Sequence, residues 1–265
     1  MLRICVTLLV ALGLIYGALI VVASITQRNL QYFPTHVDRK GSGNTSFRPW
    51  RDVAGQFWGY IRPAEDPKRV VILFHGNGGE ALGRNWLDEL VPDKSVLLLL
   101  AEYPGFGARA GDPSEALIFK EATLLLDTVR QKWALLPVTI VGESLGSGPA
   151  SYIASQRDID RLALISPFSS AADVGQYHYP YFPIRWILKD RYENMRYLSA
   201  APIPLHIVHG EADEVVPIQF AEKLFEAYTG PKSFTRLSGY GHNDIVPALI
   251  KGEKTQAFRD FLLGR

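Results

Sequence analysis

The sequence predicts an α/β domain with a mostly parallel sheet and helices on both faces. Two observations point there. Short apolar runs at Val70–Phe74, Ser95–Ala101, Val138–Val141, Leu162–Ile165 and Leu205–Val208 read as strands, and helix-like patterns lie between several of them. The run Val138–Val141 also passes directly into Gly142-Glu143-Ser144-Leu145-Gly146, a G-x-S-x-G elbow. In such an elbow a serine sits on a strained turn between strand and helix. Glycines two residues to either side keep Cβ atoms out of the crowded crossing. A helix starting at the serine also turns backbone N–H groups and the positive dipole end toward its oxygen.

Composition narrows the class. At 265 residues the chain can hold one large α/β domain or two small ones. A hydrophobic share of 47% with 21% charged residues suffices for a full core. A net charge of +1 offers nothing to nucleic acid or another strongly charged partner. The single cysteine, Cys5, excludes an internal disulfide, and no Cys/His spacing suggests zinc. His206 and His209 are three apart on a strand and face opposite sides, which argues against a metal site there.

Ile4–Ile25 is a 22-residue apolar run without a charge, interrupted by Thr7, Ser24 and small residues. About 20 such residues cross the ~30 Å hydrocarbon core of a bilayer. A buried core helix is the plain alternative, but few globular helices are apolar all round over that length. A signal peptide is the sharper rival, with Arg3 as n-region and Val21-Val22-Ala23 as cleavage site. The run exceeds the 7–15 residues of a typical signal core, so a retained anchor over residues 1–27 is favoured. Arg3 on one side and Arg28, Arg39, Lys40 and Arg48 on the other leave the side of the domain open, with a lean toward the cytoplasm.

A polar connector follows, residues 28–49 with blurred edges at Thr26 and Trp50, and Gly41-Ser42-Gly43-Asn44 reads as a loop. Tyr32-Phe33-Pro34 sits either at the membrane interface or against the domain. The domain occupies residues 50–265. Val53–Ile61, with Phe57, Trp58 and Tyr60, suggests an early antiparallel strand. Val70–Phe74 ends in His75-Gly76-Asn77-Gly78-Gly79, a glycine-rich turn like the loops that donate an oxyanion-hole N–H. The donors would be the backbone N–H groups of Asn77 and Leu145, with His75 fixing the loop.

After Ser95–Ala101 and the loop Glu102–Gly107, Asp112-Pro113-Ser114-Glu115 predicts a helix start with Asp112 as N-cap. Leu117, Leu124, Leu125 and Val129 continue its apolar stripe to about Trp133. Residues 168–198 break the strand–helix rhythm. Tyr177, Tyr179, Tyr181, Phe182, Trp186, Tyr192 and Tyr197 gather there, and Pro180 and Pro183 stop any long helix. The segment is a small cap over the site, or its rings pack on the sheet edge, or different rings do each.

The remaining partners of the serine come late. Leu205–Val208 leads into His209-Gly210-Glu211-Ala212-Asp213-Glu214-Val215-Val216-Pro217, where a carboxylate in a tight turn suits an acid presented at the carboxyl end of a strand. Asp213 is the candidate, with Glu211 and Glu214 as competitors. A helix over Ile218–Tyr228 and a strand over Ser233–Leu237 follow, then Gly239-Tyr240-Gly241-His242-Asn243-Asp244. His242 is the candidate base, because serine, then acid, then histidine is a known chain order for such triads. His36 precedes the domain, His178 lies in the cap, and His206 points away.

Through Leu73–Gly79, Gly142–Gly148, His209–Pro217 and Gly241–Asp244, the chain resembles the α/β-hydrolase superfamily from about Trp50 onward. The likeness is greatest to the membrane-anchored serine-hydrolase branch related to the bud-emergence proteins and the serine aminopeptidase-type hydrolases. The connector Gln27–Pro34 after an apolar helix resembles that branch too. Glu102 departs from the pattern, since the family usually carries Asp there. The resemblance implies an eight-stranded, mostly parallel sheet. It also implies a Ser144–His242–Asp213 triad, but it does not settle the substrate, because this fold hosts many chemistries. The membrane anchor and the aromatic cap suggest acyl chains, so the expected reaction is cleavage of carboxylic ester or thioester bonds of an acyl lipid or small acyl ester.

No metal or organic cofactor is needed for that chemistry. The expected partners are a small-molecule or lipid acyl substrate and the membrane, through the N-terminal helix. Nothing indicates the oligomeric state. A serine peptidase or amidase would use the same triad, and a non-catalytic, membrane-tethered interaction protein is the rival from a different class.

Overall fold

The structure is a computed structural model describing residues 1–36, 45–199 and 202–265. The loop expected at Gly41–Asn44, and the charges of Arg39 and Lys40, lie outside those residues. Eight strands form the main sheet: β1 (Arg48–Arg51), β2 (Phe57–Arg62), β3 (Arg69–Phe74), β4 (Val96–Ala101), β5 (Val138–Glu143), β6 (Arg161–Ile165), β7 (Leu205–Gly210) and β8 (Lys232–Leu237). Their spatial order is β1-β2-β4-β3-β5-β6-β7-β8. Only β2 runs antiparallel to its neighbours; every other pairing is parallel.

The central strands alternate between two apolar layers. Val70, Ile72 and Phe74 face one core with α3 (Glu115–Lys132), α4 (Ser147–Gln156) and α8 (Gln219–Ala227). Val71 and Leu73 face the other, with α2 (Leu87–Leu90), α9 (Ile245–Lys251) and α10 (Thr255–Leu263). Both faces are therefore covered, which is why these strands read as continuous apolar runs.

Several local expectations need correcting. The early strand begins at Phe57 rather than Val53, because Asp52 organises a turn: its Oδ1 accepts from the N–H groups of Ala54 and Gln56 at 2.9 and 3.0 Å. The edge strand β1 straddles the boundary between the expected connector and the domain. The N-cap of α3 is Ser114, whose Oγ accepts from Leu117 N–H, so Asp112 lies outside the helix. The inward face of α3 is Ile118, Phe119, Ala122, Leu125, Leu126 and Val129, while Leu124 faces solvent. Of the stripe read from the sequence, Leu125 and Val129 lie on this face.

The N-terminal helix α1 (Leu2–Gln31) is the one described helix long and apolar enough to cross a membrane. It continues through residues 26–31, which composition assigned to the connector, since Gln27 and Gln31 spend their polarity on the domain. Gln27 Nε2 donates to the Ile187 carbonyl at 3.1 Å, and Gln27 Oε1 accepts from Lys189 N–H at 2.6 Å. Gln31 Nε2 donates to the Asp190 carbonyl at 2.7 Å, and Arg28 pairs with the Asp190 carboxylate at 3.0 Å. Tyr32 packs against the domain, its hydroxyl reaching Asp190 at 3.1 Å and Tyr192 at 2.8 Å, whereas Phe33 is exposed.

The segment 168–198 forms three short helices, α5 (Ala171–His178), α6 (Ile184–Ile187) and α7 (Asn194–Leu198). Its rings divide by role. Tyr192 and Tyr197 stack edge-on against Phe119 in the domain, while Tyr177, Tyr181 and Trp186 are exposed.

Candidate active site

Strand β5 ends at Glu143, a single 3-10 turn holds Ser144–Gly146, and α4 starts at Ser147. Ser144 has φ 50°, the left-handed conformation that a non-glycine residue adopts only when its surroundings impose it. The two elbow glycines show the crowding directly. A Cβ on Gly146 would lie 2.0 Å from the Phe74 carbonyl oxygen, and one on Gly142 would lie 2.6 Å from the Gly146 carbonyl oxygen. Strand, turn and helix can come this close only without those side chains.

The three residues singled out from the sequence meet here. Ser144 Oγ lies 3.0 Å from His242 Nε2, and His242 Nδ1 lies 2.7 Å from Asp213 Oδ2. They arise from the carboxyl ends of β5, β7 and β8, where a parallel sheet presents its functional groups. The competing Glu211 and Glu214 are exposed to solvent. The two late loops are tied together, with Glu211 N–H donating to the Leu237 carbonyl and Ala212 N–H to the Tyr240 carbonyl, both at 3.0 Å. A Cβ on Gly210 would collide with that same Tyr240 oxygen at 2.2 Å.

The Asp213 carboxylate is heavily partnered. Burial alone would raise its pKa, but hydrogen bonds from His209 and His242, the nearby His242 charge and Val216 N–H together hold it well below the usual carboxylate range. Its Oδ1 accepts from the N–H groups of Val215 and Val216 at 3.0 and 2.7 Å. His209 was not foreseen. Its Nε2–H donates to the Val216 carbonyl at 2.8 Å and lies 3.3 Å from Asp213 Oδ2, so it braces the acid loop from beneath. His206, by contrast, faces the other layer, between Ser233, Thr235, Phe258 and Phe261.

The glycine-rich turn after β3 lies beside the elbow. A Cβ on Gly76 would stand 3.4 Å from Ser144 Cβ. His75 is fully buried, with Nδ1 2.7 Å from the Gly76 carbonyl and Nε2 3.1 Å from Glu102 Oε1. Glu102, the family departure, also accepts from Ala81 N–H through both oxygens, at 3.3 and 3.2 Å. Its carboxylate thus spans the two ends of the glycine-rich turn. Asn77 turns its side chain to the end of α1, donating to the Gln31 carbonyl at 2.6 Å and accepting from Phe33 N–H at 3.1 Å. Asn77 and Leu145 both line the cavity into which Ser144 opens.

That cavity has a volume of about 450 Å³ and mostly apolar walls. Ser144, Leu145 and Phe168 line it on the sheet side. The cap contributes Val174, Tyr179, Phe182 and Ile187. The remaining wall is α1 itself, through Ala23, Gln27, Leu30 and Gln31. No sequence pattern signalled that the apolar N-terminal helix would reach the site.

Fold and geometry together define a doubly covered α/β domain with a serine elbow at its centre. No protein-family model matches the sequence. An uncharacterized protein of Mycobacterium tuberculosis (strain ATCC 25618 / H37Rv) is 31% identical over 247 residues, covering 89% of this chain and 87% of that protein. The lysophosphatidylserine lipase ABHD12 of Xenopus tropicalis is 28% identical over 247 residues, covering 80% of this chain and 62% of that protein. Among solved structures, the esterase PF2001 of Pyrococcus furiosus matches with a TM-score of 0.65 at 13% identity, covering 88% of this chain and 98% of that one. The chain belongs to one family with the Mycobacterium tuberculosis protein, and its fold is that of the α/β hydrolases.

Proposed function

We propose that the protein is a membrane-anchored serine hydrolase that cleaves carboxylic ester or thioester bonds through an acyl-enzyme intermediate. The observation that carries this is the Ser144–His242–Asp213 chain of contacts, 3.0 and 2.7 Å, at the floor of an apolar cavity. The relation to lysophosphatidylserine lipase ABHD12 supports an acyl lipid as the substrate class. Retention of α1 is supported by its polar latches to the cap and by its share in the cavity wall.

In the proposed mechanism Ser144 Oγ attacks the ester carbonyl carbon while His242 Nε2 takes the hydroxyl proton. Asp213 holds the ring orientation and stabilises the imidazolium. The oxyanion accepts from the backbone N–H groups of Asn77 and Leu145, each such donor contributing roughly 3–4 kcal/mol to the transition state. As the C–O bond breaks, His242 returns the proton to the leaving alcohol. Water, deprotonated by His242, then attacks the acyl-serine and restores the enzyme.

The test is a panel of p-nitrophenyl esters graded by acyl length, with a peptide anilide included, on the full chain in detergent. Ester turnover that is lost in Ser144→Ala is the expected result. Anilide cleavage matching ester cleavage would favour a peptidase, and no turnover on any substrate would favour a non-catalytic protein.

A further inference from the structure

We infer that the tip of the cap, residues 179–186, is immersed in the hydrocarbon of the near membrane leaflet, and that the acyl cavity opens there with α1 as one wall. The inserted tip rests on α1 spanning the membrane and not on the hydrolase reading above; the supply of acyl chains through it rests on that reading.

The first support is depth. Tyr16 hydroxyl donates to the Tyr181 carbonyl, and its ring lies 6.0 Å from that of Phe182. Tyr16 sits well inside the uncharged run Ile4–Ile25, about 13 Å along the axis from Ile25 at 1.5 Å per residue. One leaflet contributes about 15 Å of hydrocarbon. If α1 spans the bilayer, the residues that hold Tyr16 lie within the leaflet beside it. The same face of α1 continues through Ala23 and Gln27 to the cavity, as the spacing of seven and then four residues requires.

The second support is chemistry. The exposed side chains at the tip are large and amphipathic or apolar, with Tyr181 86% and Trp186 88% exposed. Such rings are costly to leave in water and favoured near the membrane interface. Irregular backbone survives in hydrocarbon only when its polar groups are satisfied internally, and most of the backbone groups of this tip are. Gln176 Nε2 lies within hydrogen-bond distance of the Tyr179, Pro180 and Phe182 carbonyls, at 3.4, 3.3 and 3.0 Å. Tyr16 takes the Tyr181 carbonyl, and the Pro183 carbonyl accepts from Trp186 and Ile187 N–H at 2.9 and 3.2 Å. Pro180 and Pro183 bring no N–H, while those of Tyr179 and Phe182 are bonded to the carbonyls of Gly175 and Tyr179. A surface turn in water has no need of such closure.

The charged groups fit the same arrangement. Arg185 pairs with Asp173 at 2.9 Å, so the one cation of the tip is neutralised at its base. The latches of Arg28 to Asp190 and of Gln31 to the Asp190 carbonyl lie at the other end, beyond the apolar run.

The experiment uses the full chain with Cys5→Ser, carrying a single cysteine at Tyr181→Cys, or at Trp186→Cys should the first fail to fold. Leu135→Cys is the control, in the turn before β5 at the opposite strand ends. Each is labelled with an environment-sensitive fluorophore in phosphatidylcholine vesicles. Nitroxide on the lipid acyl chain should quench the tip label at least threefold more than the control, and aqueous iodide should quench it several-fold less. Iodide access equal to the control, or shielding from both quenchers, overturns the insertion. This readout is independent of turnover, so quenching without ester hydrolysis would discard the hydrolase reading and keep the inserted tip. For the wall, Ala23→Trp should lower the ratio of long-chain monoacyl lipid turnover to p-nitrophenyl acetate turnover by tenfold or more; an unchanged ratio removes α1 from the binding site.

Discussion

Arg84 grips Glu143 as a planar fork on a carboxylate, Nε to Oε2 at 2.8 Å and Nη2 to Oε1 at 2.9 Å. Glu143 is the residue immediately before the elbow serine. Through Nη1 the same guanidinium donates to the Gly78 carbonyl at 2.9 Å. One side chain thus fixes the glycine-rich turn relative to the elbow, and the distance between the two proposed oxyanion donors depends on it. Its pKa is raised: desolvation alone would lower it, but the hydrogen bonds and charge of Glu143 more than offset that.

Arg84→Met is therefore expected to lower kcat by tenfold or more with little change in KM, because it loosens transition-state contacts rather than the acyl cavity. It also strands the partly buried Glu143, at a cost of about 3 kcal/mol in stability. Arg84→Lys keeps the charge but not the fork, and should fall between the two. Steady-state kinetics on a soluble ester, with thermal melts alongside, separate these effects. A KM effect alone would contradict the positioning role.

Gly146→Ala is expected to abolish activity and to destabilise the fold by more than about 4 kcal/mol, the range of severe packing clashes. The new Cβ would lie 2.0 Å from the Phe74 carbonyl oxygen, and no side-chain movement relieves a backbone contact. Soluble, active Gly146→Ala protein would mean that β3 and the elbow are not packed as described.

Much of this site was legible before any coordinates. The elbow, the glycine-rich turn and Asp213 each follow a strand whose apolar run is plain, while His242 follows a mostly polar strand, Lys232–Leu237, and was found through chain order. Asp213 was the choice from the sequence with Glu211 and Glu214 as competitors, and the turn geometry is what directs Asp213, of the three neighbouring carboxylates, inward. Arg84, His209 and the wall formed by α1 were not legible. Arg84 and α1 act through partners distant in sequence, Glu143 for Arg84 and the cap residues Ile187–Asp190 for α1, and a charge or glutamine bonded across the fold leaves no periodic trace. His209 lies close to Asp213 in sequence, yet its contact depends on a turn conformation that the residue types alone do not dictate. The N-cap at Ser114 was missed for a local reason: Asp112 satisfies the same capping pattern, and only the helix register distinguishes them.

Asp213→Asn should reduce kcat by about 10³–10⁴, as loss of the acid does in triads that depend on ring orientation. The structure adds a condition. Asp213 is held well below the usual carboxylate range, so it stays ionised as the pH falls through that range. Any loss of activity on mild acidification should therefore keep the same midpoint in His209→Gln, which removes one of the several groups that hold Asp213 ionised. A midpoint that moves with His209→Gln in the kcat/KM profile would show that the acid itself titrates there.

His206 provides a separate pH dependence of stability. Burial lowers its pKa from 6.5 to about 4. Between those values the unfolded chain binds a proton that the folded chain does not, so stability is fully present above pH 6.5 and is lost as the pH falls toward 4. The loss is on the order of 3 kcal/mol, from about 1.4 kcal/mol per pKa unit. His206→Gln removes the titration and should flatten the fall in Tm between pH 6.5 and 4. Equal slopes for wild type and variant would contradict it.

The most direct test of the central claim is covalent labelling of the full chain with a fluorophosphonate, followed by mass spectrometry of the peptides. A reactive serine activated by His242 and Asp213 predicts one adduct, on Ser144, absent in Ser144→Ala and strongly slowed in His242→Ala. No labelling of the folded wild-type chain, or an adduct that persists on another residue when Ser144 is replaced, would contradict it.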